Sequence, residues 1–511
     1  MGRLRLRRIS VQSKQLRQLI VAIGVAAIVV GAAWLRFSEL GARPMHGDEA
    51  NQAVKTGALY DQGEYRYDPF EHHGPTLYYF ALPVLRLTGA ASYEKAQARQ
   101  YRLVPAVFGF GLVLLTLGLW RLLGPWPAFW AGAFTAISHV MVYYSRYYIQ
   151  EMLFTFFALC FIVCAWKILQ GRGTWWAVLG GIAAGLLHAT KETGIFVFAA
   201  GILAYVVVVF VSRDAEQRER GWKPRPLVVF VACGLLVSVA FFSSFFTWWR
   251  GPLDSLLTYW HYVRRAEGQG SSGLHDKPFY YYFTLLSYTY RMVGPRWTEA
   301  PVLLLALVGA FLAWRPCKRL TTEEAQPSPH LFARFVSVYA WSLALLLSAL
   351  PYKTPWNLLV FYQPMLLLAG LGLHGIIKCM HKRWLRLVAI TLTLGVLYVM
   401  ARQTRLGTTV YAADVRNPYV YAHTSTDLVH LVERVETIRA IAPADALQIN
   451  IIKPDGDYWP LPWYLRSFHR VGYWPAIPEK PDAPLLIAPP ELAEALSAAL
   501  RDKYFVEMYS L

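Results

Sequence analysis

The chain has 511 residues, of which 56% are hydrophobic and only 16% charged, a balance that excludes an ordinary soluble protein of this size and points to a polytopic membrane protein. The formal net charge of +18 does not point to nucleic acid, because the basic residues are scattered at the ends of apolar segments instead of forming one stripe. Anionic lipid headgroups and a phosphorylated lipid substrate are the counter-charges this pattern fits.

From the amino terminus, a basic stretch precedes an apolar run at 19–37 that is long enough to span a bilayer and lacks a small-residue cleavage pattern, so it reads as a signal anchor. Runs of comparable length follow at 102–123, 126–143, 151–169, 175–190, 193–212, 227–248, 298–314, 334–350, 357–376 and 386–402. With the first, that makes about eleven predicted transmembrane helices. Six Lys or Arg precede the first one, which keeps the amino terminus cytoplasmic, and the basic segments 213–225, 315–334 and 378–386 then fall on the same side. Two long loops, 38–101 and 249–297, and the tail from 403 face outward. Cys160, Cys164, Cys233, Cys317 and Cys379 lie in or at the cytoplasmic ends of the spans and outline no disulfide framework; the Cys160 and Cys164 pair reads as packing.

In the first outer loop, 48–60 reads as a helix closed by Gly63, and Pro75 opens a second apolar segment, 76–87, too short to span and suited to the interface. The second outer loop reads as a helix over 254–266, then the Gly/Ser-rich 267–273, which suits either a mobile lid or a simple linker, then the aromatic stretch 279–290. The tail changes character. A helix at 427–442, strands at 447–452 and 485–488, a helix at 491–501 and a last strand at 504–509 predict a small extracytoplasmic α/β domain. The chain therefore divides into a transmembrane domain, 1–402, and a carboxyl-terminal domain, 403–511.

The ionisable clusters that could carry chemistry all map to the outer side. Asp48 and Glu49 sit where a helix begins, so Asp48 is either a general base beside the membrane or a helix cap. His46, Glu71, His72 and His73 offer imidazole and carboxylate that, with Asp48 and Glu49, suit either a divalent metal or hydrogen bonding within an ordered loop, and no fixed ligand spacing selects the metal. Arg146 and Glu151 bracket one outer turn, Lys191 and Glu192 occupy another, and Lys353 a third. Each is costly beside lipid unless paired, snorkelling or engaged with a ligand, and their convergence on one face favours an anion site for a lipid phosphate. His261, Arg264 and Arg265 share a face of the second-loop helix and contact either lipid phosphate or anionic headgroups.

At these residues the chain resembles the GT-C superfamily of integral-membrane glycosyltransferases, in the branch of the protein mannosyltransferases (glycosyltransferase family 39) and the dolichyl- or undecaprenyl-phosphate sugar transferases. Gly47-Asp48-Glu49-Ala50 is similar to that superfamily's acidic loop motif, and Ser145-Arg146 through Glu151 to its second acidic segment. His46-Gly-Asp-Glu-Ala50, His73-Gly-Pro75, Thr190-Lys-Glu192, Lys353-Thr-Pro-Trp356 and Asp457-Tyr-Trp-Pro-Leu-Pro-Trp463 resemble more closely a subgroup called flippase-activity-associated proteins. The resemblance implies a GT-C fold and inverting transfer of a sugar from a polyprenyl-phosphate donor to a glycan, lipid or protein acceptor outside an inner (plasma) membrane. Asp48 is then the expected base, with Glu49 and Glu151 organising the site, and Lys191, Lys353 and Arg146 neutralising the departing phosphate. His46, His73, Glu192, Arg264 and Arg265 complete the expected substrate-binding set. A monophosphate donor does not require a divalent metal. The rival readings are a transporter or flippase component, which would show polar residues through the midplane and repeated halves, and a non-catalytic scaffold.

Overall fold

The structure is a computed structural model that describes residues 2–70, 73–211, 224–266, 275–315, 329–441, 447–500 and 504–509. Helix α1 (Gly2–Phe37) carries the first apolar run, Gln18–Phe37. Helices α2 (Gly47–Gln62) and α3 (Thr76–Leu87) fill the first long loop. Then come α4 (Ala98–Gly118), the single turn α5 (Trp120–Leu123), α6 (Pro125–Ile137), α7 (His139–Tyr144), α8 (Glu151–Leu169), α9 (Thr174–His188), α10 (Gly194–Val211) and α11 (Pro224–Phe242). The second long loop holds α12 (Gly251–Ala266) and α13 (Tyr281–Ser287). Helices α14 (Ala300–Trp314), α15 (Pro329–Ala349), α16 (Leu359–Cys379) and α17 (Arg383–Thr408) complete the apolar part.

Among the described residues eight helices are long and apolar enough to cross a membrane, which makes this a multi-pass protein. All eleven predicted spans are helical, but three fall short of the spanning length. Helices α9 and α14 have 15 residues each, and the predicted span 126–143 is broken between α6 and α7 at Ser138, whose ψ of 126° leaves the helical region. The break is held from elsewhere in the chain. The Glu299 carboxylate accepts the His139 N–H at 2.7 Å, the Ser138 hydroxyl at 3.0 Å and the Tyr362 hydroxyl at 2.9 Å, capping the first turn of α7.

Glycines let the apolar helices approach closely, as lipid-embedded packing requires when no hydrophobic effect separates helix from lipid. A Cβ added to Gly309 on α14 would run into the Leu368 carbonyl of α16, and one on Gly372 of α16 into the Leu305 carbonyl of α14. Gly181 and Gly185 on α9 meet α11 in the same way.

Past α17, Tyr419 and Val420 are buried in the same core as the apolar helices, while a second core starts at Leu428. It gathers α18 (Asp427–Ile441), α19 (Leu461–Tyr464) and a parallel sheet in the order β2-β1-β3, with β1 (Ile449–Ile452), β2 (Val471–Trp474) and β3 (Leu485–Ile487), and α20 (Ala493–Leu500) follows the sheet. Ile449 sits opposite Val471 on one side and Leu485 on the other. The central strand, Ile449-Asn-Ile-Ile452, is buried at every position, as expected of a parallel strand covered on both faces. Strand β2 was not predicted, and the predicted strand at 504–509 is not a strand. Glu507 there instead pairs with Arg434 of α18 at 2.8 Å, which lays the segment on a helix and away from a sheet edge.

Candidate functional site

The start of α2 is the centre of the site. His46 is its amino-terminal cap: Nδ1 accepts the Asp48 N–H at 3.0 Å, and Nε2 donates to the Tyr421 carbonyl at 3.0 Å, so the two bonds select one tautomer. The His46 N–H in turn donates to Glu49 at 3.1 Å, closing a capping box.

Glu49 is fully buried and every acceptor position is taken. Oε1 receives Arg43 at 3.0 Å, Arg102 Nε at 2.9 Å and the Tyr148 N–H at 2.9 Å, and Oε2 receives Arg102 Nη2 at 2.8 Å. Burial alone would raise its pKa; the Arg102 and Arg43 guanidiniums overcome that and hold the carboxylate well below its usual range. Arg102 also donates to the Leu40, Arg43 and Pro44 carbonyls, which fixes the chain entering α2.

Asp48, one residue earlier, points the other way. Its side chain is 51% exposed, with Oδ2 3.7 Å from His46 Nδ1. Aromatic and imidazole groups from distant segments surround this end of the helix. The His46 ring lies 5.5 Å from Tyr147, 6.1 Å from Trp356 and 5.6 Å from His423. Tyr421 hydrogen-bonds His275 at 2.7 Å, and the Asp48 charge acts on both groups. Burial first, then the Arg43 guanidinium 2.7 Å from Nε2, pushes the His423 imidazole well below its ordinary range and keeps it neutral.

Trp356 joins this cluster to a narrow cleft lined by Glu151, Lys191, Asn357 and Thr155 at its polar part and by Phe154, Leu343, Leu347 and Val360 elsewhere. Lys191 Nζ donates to Glu151 Oε1 at 2.5 Å and to Asn357 Oδ1 at 2.8 Å. Glu151 Oε2 is buried with no hydrogen-bond partner among the described residues. A paired cation, a carboxylate with a spare acceptor and an apolar wall suit a ligand with a charged head and a greasy tail.

A family model described as dolichyl-phosphate-mannose-protein mannosyltransferase matches residues 76–249, less than half of the chain. No curated protein matches. Among solved structures, ArnT from Cupriavidus metallidurans superposes in its apo state with a TM-score of 0.63 at 16% identity, covering 97% of each chain. The same protein bound to undecaprenyl phosphate superposes at 0.61, again at 16% identity, covering 95% of this chain and 96% of that one. The oligosaccharyltransferase of Archaeoglobus fulgidus superposes at 0.55 and 12% identity, covering 88% of this chain and 64% of its own. The chain has the GT-C fold of membrane glycosyltransferases.

Within that GT-C fold the remaining sequence candidates have mixed placements. Arg146 donates to the Leu35, Ser38 and Glu39 carbonyls, so it caps the carboxyl end of α1. Lys353 is buried and donates to the Lys277 and Leu350 carbonyls. His73 bonds Glu192 at 2.9 Å, and burial, which would raise the Glu192 pKa, is outweighed by His73, so the carboxylate stays below its ordinary range. Gly74 has no room for a side chain beside the Ala189 carbonyl, and Thr76 bonds Thr190 at 2.8 Å, so the 73–75 and 190–192 motifs pack on each other. Glu71 and His72 lie outside the described residues, as do the side chains of His261, Arg264 and Arg265 and the segment 267–273. Among the described residues no group of three or more His, Cys, Asp or Glu gathers as a metal site.

The sequence reading did not single out Arg43, Arg102, His275, Tyr421, His423 or Asn357. A signal existed for the arginines only, since a buried loop carboxylate demands nearby cations.

Proposed function

We propose that this GT-C protein is an inverting glycosyltransferase that moves a sugar from a polyprenyl-phosphate donor to an acceptor hydroxyl at the extracytoplasmic face of an inner (plasma) membrane. The observation that carries the reading is the division of labour at the start of α2. Glu49 is saturated by two arginines, and Asp48 is left exposed next to His46, whose ring lies 6.1 Å from Trp356 on the wall of the cleft. The fold shared with ArnT, a protein that binds undecaprenyl phosphate, supports the donor class.

In this reaction Asp48 takes the proton of the acceptor hydroxyl as its oxygen bonds the anomeric carbon from one face. The bond from that carbon to the phosphate oxygen breaks on the other face, and its electron pair leaves with the lipid phosphate. A single displacement inverts the anomeric centre. Lys191 faces the departing phosphate and exchanges part of its bond to Glu151 for it, and Asn357 holds the amine in place. Glu49, Arg43 and Arg102 position the helix start that carries Asp48. Arg146 and Lys353 act through the backbone they tie down.

The test is sugar transfer by the full chain in proteoliposomes with polyprenyl-phosphate donors. Asp48→Asn keeps the shape, removes the base, and is expected to lower turnover by about a hundredfold or more, within the range of general-base catalysis. Turnover within twofold of wild type would reject Asp48. Loss of lipid translocation with transfer intact would instead favour the flippase reading. No divalent cation is needed in this scheme, because Glu49 and Glu192 are committed to Arg and His partners and Lys191 supplies the positive charge at the cleft; exhaustive chelation should leave the rate unchanged, and rescue by added Mn²⁺ or Mg²⁺ would overturn that part.

A further inference from the structure

The Asp457-to-Trp463 segment lies where the tail meets the site. It follows β1 at the carboxyl end of a parallel sheet in which β2 and β3 lie on opposite sides of β1, the point where such sheets open a crevice for ligands. Tyr473 and Trp474 end β2 there and are 36% and 40% exposed. Tyr458 meets Tyr473 at 5.1 Å between ring centroids. The Trp474 indole is held in place by its N–H, which donates to the buried Asn450 at 3.2 Å. Asp455 and Asp457 are exposed on the same turn, the first accepting the N–H of the second at 3.0 Å.

The same segment reaches the start of α2. A Cβ on Gly47 would lie 3.4 Å from Trp459 Cβ, so this tryptophan stands beside Asp48. The docking is rigid: the Met45 N–H donates to the Tyr464 hydroxyl at 2.8 Å, and Arg466 donates to the Ala96 carbonyl at 2.7 Å while lying 3.8 Å over the Trp463 ring. A ledge of exposed and half-buried rings with exposed carboxylates therefore continues from the tail to the exposed carboxylate of the site.

We propose that this ledge, Asp455, Asp457, Tyr458, Trp459, Tyr473 and Trp474, is the acceptor subsite, and that the acceptor is a neutral, hydroxyl-bearing glycan. The inference rests on the reading of Asp48 as the base. Sugar rings present polarised C–H bonds to the negative face of aromatic rings, and vicinal hydroxyls donate to carboxylate oxygens, so rings and carboxylates side by side match a carbohydrate surface. Lys453 pairs with Asp455 at 3.2 Å, which leaves Asp457 as the uncompensated charge of the turn. In a chain of net charge +18, an acidic ledge repels phosphate headgroups and selects an uncharged acceptor.

The test is saturation-transfer NMR on the full chain in detergent, with mannotetraose, cellotetraose and a Ser/Thr-rich peptide as probes. At least one tetrasaccharide is expected to bind, with affinity lowered tenfold or more in Trp474→Ala and in Asp457→Asn. Unfolding temperatures matching wild type in both ledge variants confirm that the fold is kept; Trp474→Phe, which restores a ring, is expected to recover most of the binding. No saturation transfer to either oligosaccharide, wild-type affinity in both ledge variants, or binding of the peptide alone would overturn the proposal. Failure of Asp48 as base would show separately, in the transfer assay.

Discussion

Glu49 and Asp48 are neighbours with opposite environments, and one helical residue step accounts for it. The step turns Glu49 toward Arg102 and Arg43 inside the protein and Asp48 toward solvent. A buried charge that loses its partner is costly, so Glu49→Gln, which strands two guanidiniums, is expected to destabilise the fold by about 3–5 kcal/mol, read as a lowered unfolding temperature in detergent; a shift of under a degree would reject the structural role. The pH dependence follows from the depressed pKa of Glu49. A carboxylate held below its ordinary value contributes its stabilisation fully above that value and loses it as pH falls through the lower, folded one. Wild-type stability should therefore fall in strong acid, below about pH 4, and Glu49→Gln should show a flatter acid limb over the same range.

Elements here are shaped by groups far away in the chain. The α6–α7 break would leave the first N–H groups of α7 unpaired in an apolar setting, and Glu299, a residue from the start of α14, satisfies them. Glu299→Ala would strand the Ser138, His139 and Tyr362 donors at roughly 1–3 kcal/mol each, and should lower the unfolding temperature by more than Glu299→Gln, which keeps one acceptor oxygen. Equal and small shifts in the two variants would show that the cap does not matter. Helix α2 displays the converse. Its capping box, His46 with Glu49, is local, although the sequence pointed to Asp48 as the cap and only the structure gives that place to His46, whereas its anchoring to Tyr421 and His423 depends on a tail almost four hundred residues later.

At the scale of the molecule, the motifs quoted from sequence fall into one neighbourhood through a few contacts. Trp356 rests by His46, Asn357 holds Lys191, the 73–75 turn packs on 189–190, and Trp459 stands beside Gly47. The outward orientation we propose for the site rests on the basic ends of the spans. In a cysteine-free background, a single cysteine at 455 is expected to react with a membrane-impermeant maleimide from outside intact cells, and one at 379 only after permeabilisation. The reverse pattern would turn the proposed site to the cytoplasm.

Much of this architecture was legible because its signals are local. Runs of apolar residues long enough for a bilayer located the eight spanning helices among the described residues, the Gly47-to-Ala50 acids marked a helix start, and the apolar Leu447 to Ile452 run marked a central strand. The short strand Val471–Trp474 carries no period and went unread, and the 504–509 segment was read as a strand although its partner is a helix.

The sequence by itself determined that the chain lives in a membrane, how its apolar segments are spaced, and which ionisable residues must be explained, because bilayer length and the cost of charge act on each segment separately. Only the tertiary structure decided which of those residues are spent. Arg146 and Lys353 satisfy backbone carbonyls, Glu49 balances two arginines, and Asp48 keeps an open face, since a charge is silenced or freed by partners that the order of the chain does not reveal.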